Sequence, residues 1–136
     1  MATPKQTNVL ALPQVALVVA TGTNEDWINS LKFVVDDGGG GDVNSLPQLD
    51  LRGIKFEMEI RRAPPEHEVI LAGSTVDGRL LIGNPPDYGF LIIQIPVKDM
   101  ETRPPGNYVG DIVGSDGFNS RVCAQISLEI VEGITR

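Results

Sequence analysis

Short apolar runs separated by glycine, proline and acidic turns set the pattern of this chain, and the period of most runs is two. The clearest lies at residues 54–61, where Ile54, Phe56, Met58 and Ile60 alternate with Lys55, Glu57, Glu59 and Arg61. Four apolar side chains on one face and four charges on the other predict a half-exposed strand. Ala63-Pro64-Pro65 ends it, because proline has no N–H to give a ladder. Trp27, Asn29, Leu31, Phe33 and Val35 share one face of an earlier strand. In the last strand Val122, Ala124, Ile126, Leu128 and Ile130 share a face, with Cys123, Gln125, Ser127 and Glu129 opposite. Val15-Ala16-Leu17-Val18-Val19 is continuously apolar, which predicts a strand buried on both faces.

Residues 69–71, 80–82, 89–96 and 108–113 read as further strands. Asp77-Gly78 predicts a tight hairpin turn between two of them, and Ser115-Asp116-Gly117 another. Asn84-Pro85-Pro86-Asp87 and residues 103–107 are turns as well, and residues 97–101 have room for one helical turn. About eight strands with turn signals every 8 to 12 residues, and no long amphipathic helix, mean a sandwich or a barrel. Tyr108 favours the sandwich. It follows the turn Pro105-Gly106-Asn107 at the start of a late strand, where a tyrosine corner bonds its hydroxyl to nearby backbone. The alternative is a plain exposed strand tyrosine. The expected fold is therefore all-β, an immunoglobulin-like antiparallel β-sandwich of about 7–8 strands over residues 15–136, preceded by an extended arm over residues 1–14.

Composition narrows this picture. The chain has 136 residues, 41% hydrophobic and 21% charged, which is the balance of one soluble globular domain. Aromatics are only 5%, so the core is mainly Val, Ile and Leu, and the β-branched members suit a pleated sheet. The 18 acidic residues against 11 basic ones give a net charge of -7, which repels phosphate backbones and argues against nucleic acid as a partner. The apolar residues 15–20 fall far short of the ~20 a membrane span needs, and Pro13 interrupts a signal-peptide reading, so no membrane partner is expected. The single cysteine, Cys123, forms no internal disulfide, and a reducing compartment is allowed.

Candidate chemistry is sparse. Asp36, Asp37 and Asp42 around Gly38, Gly39, Gly40 and Gly41 could offer oxygens to Ca²⁺, but the alternating ligand spacing and closing glutamate of a calcium loop are missing. A solvated loop is the expected reading, with glycines that let another subunit's backbone approach closely. His67, between Glu66 and Glu68, has no second histidine or paired cysteine to converge with, so it reads as exposed. Cys123 lacks a neighbouring base and reads as a small packed residue, at a subunit contact, with a cross-link in a mature particle outside the cell as the alternative. Asp111 is expected as an exposed charge or an acceptor for a turn, and a carboxylate pair such as Asp36 with Asp111 cannot be placed by sequence. No catalytic residue, metal ligand or cofactor is assigned. In the arm, Val9, Leu10 and Leu12 have no obvious place in a seven- or eight-strand core. An arm that adds its backbone to a neighbour's sheet edge would use them.

Residues 51–136 resemble a group of tailed-bacteriophage and prophage virion proteins, short immunoglobulin-like proteins of tails and baseplates similar to the N-terminal domain of baseplate upper proteins. The resemblance starts at Leu51-Arg52-Gly53 leading into the strand Phe56-Glu57-Met58-Glu59-Ile60-Arg61. It continues through Gly89, residues 91–95 and Asp99-Met100. It is most specific at Pro105-Gly106-Asn107-Tyr108-Val109-Gly110-Asp111-Ile112, against a family pattern of P-x-G-x-Y-x-x-D followed by an apolar residue, the residue before Gly106 being a second proline here. Glu132-Gly133-Ile134-Thr135-Arg136 is similar to the family's terminal tail. The resemblance fades before residue 50. It implies a non-enzymatic structural protein of the virion, made in the host cytoplasm, in the tail, baseplate or neck. Its partners would be other virion structural proteins and further copies of itself. A decoration protein of the capsid surface is the alternative, and a carbohydrate-binding host-attachment module the alternative of another class. The last would expose several aromatics, whereas Trp27, Phe33 and Phe56 fall on core faces.

Overall fold

The computed structural model describes residues 12, 14–34, 49–62, 68–85 and 87–132. Its elements are β1 (Val15–Gly22), β2 (Trp27–Lys32), β3 (Lys55–Arg62), β4 (Val69–Ser74), β5 (Leu80–Ile82), β6 (Phe90–Ile95), α1 (Val97–Met100), β7 (Gly106–Ser115) and β8 (Ser120–Val131). They form a sandwich of two sheets, one ordered β1-β8-β7-β3-β4 and the other β2-β6-β5. In immunoglobulin lettering these are A-G-F-C-C′ and B-E-D, with the first strand carried to the edge of the larger sheet. All pairings are antiparallel except β1 with β8, which is parallel, Val15 opposite Ala124 through Gly22 opposite Val131.

Alternation builds the core. Phe56, Met58 and Ile60 of β3 are buried with Ile112 of β7 and Ile126, Leu128 and Ile130 of β8, while Trp27, Leu80, Leu91, Ile93 and Ile95 close it from the smaller sheet. Two β-bulges shift this alternation. Ile60 opposes Leu71 and Arg61 opposes Val69, so Ile70 is an extra residue in β4, and Ile70 and Leu71 are both buried. Likewise Ile112 opposes Ala124 and Val113 opposes Val122. Cys123 is the extra residue there. It turns inward, fully buried, and corrects its expected place on the polar face of the last strand.

Two more expectations are corrected. The run at residues 15–19 is not buried on both faces. β1 is a sheet edge with Val15, Leu17 and Val19 partly buried and Val18 81% exposed. Its outward side chains are apolar although they face solvent, so a continuous run mimics a buried strand. Asp77-Gly78 does not close a paired hairpin either, since β4 and β5 lie in different sheets. The Ser74 hydroxyl accepts from the N–H groups of Val76 and Asp77, and the Asp77 carboxylate accepts from Ser74 and Arg79 N–H. With Gly78 at φ 82, this turn carries the chain from one sheet to the other.

Candidate functional site

The connections β2–β3, β5–β6 and β7–β8 meet at one end of the sandwich. β2 ends and β6 begins there, since Lys32 opposes Phe90 and Phe33 N–H donates to Gly89 C=O. Leu49 N–H donates to Phe33 C=O and Leu51 N–H to Tyr88 C=O at 3.1 Å, which leads the chain across to the start of β3. Lys55 opposes Ser115, so the β7–β8 hairpin turns at the same end. On the loop before β3, Arg52 makes an ion pair with Asp50 at 2.7 Å and lies 3.9 Å over the Tyr88 ring. The Arg52 guanidinium holds the Asp50 carboxyl below its ordinary value.

The β7–β8 turn is locally rigid. The Asp116 carboxylate accepts from Phe118 N–H at 2.9 Å and Asn119 N–H at 2.8 Å, and Ser115 Oγ accepts from Gly117 N–H. Gly117 at φ 95 supplies the left-handed step. The tip so fixed presents Phe118, whose side chain is 95% exposed. Sequence reasoning read this segment only as a turn. The signal for more was an aromatic placed directly after Asp-Gly, where a core residue has no reason to be.

Leu12 also reaches this end, and its expected lack of a place in the core is corrected. It is 1% exposed within the core cluster, and Arg121 Nε donates to its carbonyl at 2.6 Å. The chain enters the sandwich beside the start of β8. Val9 and Leu10, the glycines Gly38, Gly39, Gly40 and Gly41 with Asp36, Asp37 and Asp42, and His67 lie outside the described residues. Val34 and Leu49, which flank the glycine segment, sit at the Phe118 end.

The opposite end is structural. Tyr108 is 3% exposed and its hydroxyl donates to the Pro104 carbonyl, four residues upstream, which is the tyrosine corner. Asp26 accepts from Val97 N–H at 2.6 Å, and Asp99, on α1, pairs with Arg79. Arg79 Nη1 donates in turn to the Ala72 carbonyl of β4 at 2.9 Å, so one guanidinium ties β4 to α1.

Elsewhere, Asp111 is exposed on the outer face of the larger sheet, opposite Glu59 and Gln125. Glu59 is engaged by Arg61 at 2.7 Å, both half exposed, so this carboxylate neighbour lies in open solvent. Burial pushes the Cys123 thiol up to about 11, and its Sγ donates to the Ile112 carbonyl at 3.4 Å. A thiol so placed is a core side chain. Among the described residues no group of His, Cys, Asp and Glu is placed to hold a metal ion. Trp27, Phe33 and Phe56 are buried as their faces predict.

Comparison adds little to this geometry. No family model matches the chain, and no curated protein matches it. Among solved structures, CopC from Methylosinus trichosporium OB3b is similar at 13% identity and a TM-score of 0.39, over 93% of this chain and 92% of that one. A likeness at that level bears on neither family nor activity.

Proposed function

We propose that this chain is a non-enzymatic structural protein of a tailed-phage virion, in the tail, baseplate or neck, acting through contacts between subunits. One observation supports a role in contacts above the others. Two strongly exposed apolar side chains stand on ordered structure, Val18 on an edge strand and Phe118 on a hydrogen-bonded hairpin tip. A turn whose backbone is already fixed by hydrogen bonds loses little further backbone entropy when a partner covers the side chain that it carries. Leu12, Val34 and Leu49 lie at the same end as Phe118, so a partner docked there would meet several separate parts of the chain. The phage assignment itself rests on the sequence resemblance at residues 51–136.

Electron microscopy of particles carrying a tagged copy tests the reading. Label at the tail, baseplate or neck is the expected result. Label over the head surface would replace it with the decoration alternative. Absence of the protein from purified particles would overturn the virion role, and retention on a glycan array would then favour the attachment module.

A further inference from the structure

Among the described residues the sandwich has four strand edges without a partner strand, and three of them are blunted. β4 carries a bulge, and the Arg79 guanidinium occupies its Ala72 carbonyl. β5 is only three residues long, and β2 is six residues long and ends in Lys32. β1 is different. It is eight residues, Val15–Gly22, with no charge, proline or bulge of its own; the Glu25 carboxylate takes the Gly22 N–H at its last residue, and among the described residues no strand pairs with the outer edge before it. Natural sheets rarely leave such an edge unpaired, because its N–H and C=O groups template another strand.

The sequence of β1 says what covers it. Read outward from Val18, the strand is nearly the same in both directions. Ala16 and Ala20 face solvent on either side of Val18, and Leu17 and Val19 point toward the core between them. An antiparallel partner centred on Val18 would set Ala16 opposite Ala20, Val18 opposite Val18 and Leu17 opposite Val19. Small side chains meet small ones and no charges face each other. That self-complementarity is what a two-fold axis demands. Leu17 and Val19 also remain only partly buried in one copy, and a neighbouring strand would cover them. We infer that β1 pairs with β1 of a second copy, antiparallel about a two-fold axis through Val18, joining two five-stranded sheets into one of ten strands. This stands on the geometry of β1 alone and holds whether or not the chain is part of a virion.

Sedimentation equilibrium of the purified full-length chain, from micromolar to millimolar concentration, should give twice the monomer mass. Val18→Lys should halve that mass, because the axis brings two ammonium groups together and lysine blunts an edge. Val76→Lys, at a side chain 82% exposed on the β4–β5 turn, should leave the dimer intact. Directly opposed residues in an antiparallel pair have Cα atoms ~4.5–5.5 Å apart, a separation a disulfide can span. Val18→Cys should therefore cross-link the dimer covalently under mild oxidation, with Cys123 too buried to compete. A monomer at every concentration overturns the inference, as does an oligomer that neither Val18→Lys dissociates nor Val18→Cys cross-links. An oligomer that instead disperses on removal of residues 1–11, without the Val18→Cys cross-link, overturns it in favour of an arm seated on the edge.

Discussion

Tyr108 ties the segment after α1 to β7 through one hydroxyl, and nothing else about the side chain needs that oxygen. Its ring is buried and its hydroxyl donates to Pro104. Tyr108→Phe keeps the ring and removes the bond, so it should cost about 1–2 kcal/mol. A lower urea midpoint at unchanged m-value is the expected reading, and an unchanged midpoint would leave the corner without a stabilising role. Cys123 gives a second prediction at this scale, in pH. Burial raises its folded value to about 11 from the ordinary 9.0. Between those values the unfolded chain has lost the proton and the folded chain keeps it, so unfolding releases a proton and stability falls as pH rises. The contribution is complete below pH 9 and gone above about 11, on the order of 2–3 kcal/mol. Denaturation of the native chain and of Cys123→Ala from pH 8 to 11 should show a steeper decline in the former. Parallel slopes would contradict it.

At the scale of elements, alternation was legible wherever one face is charged. Residues 54–61 show both faces in the sequence, and β3 follows them with its buried set unchanged. What the sequence hides is phase and partner. Nothing in Val122-Cys123-Ala124 distinguishes a straight strand from a bulged one, because the extra residue is small and apolar in either reading. The apolar outer face of β1 concealed an edge, and the Asp77-Gly78 turn is chemically suited to a hairpin yet serves a crossing between sheets. Glycine within a strand is also ambiguous by sequence. At Gly110 an added Cβ would sit 2.4 Å from the Glu59 carbonyl and from Ile60 Cδ1. The backbone there belongs to the centre of the sheet and has no room to withdraw. Gly110→Ala should therefore destabilise by about 2–3 kcal/mol. Chemical denaturation checks it, and a loss below half a kcal/mol would mean the β3–β7 spacing is softer than it looks.

For the whole molecule, only one of the two ends was readable in the sequence. The tyrosine corner end is held by the Arg79–Asp99 pair and the Tyr108 hydroxyl, and its motif is visible in sequence. The other end is assembled from Leu12, the segment before β3 and the β7–β8 tip, which lie far apart along the chain. Their convergence is a property of the fold. Leu12 and Phe118, both large apolar side chains at that end, should behave oppositely because one is buried and the other exposed. Leu12 lies in the core at 1% exposure, and Leu12→Ala opens a cavity worth about 2–4 kcal/mol. Phe118 at 95% exposure contacts too little to matter for folding, so Phe118→Ala should shift stability by no more than about half a kcal/mol. If this end docks a partner, the same Phe118→Ala chain should be under-represented in purified particles while folding normally. Equal incorporation of native and Phe118→Ala chains from a mixed pool would move the docking surface away from the hairpin tip, to the edge of β1 or to the arm.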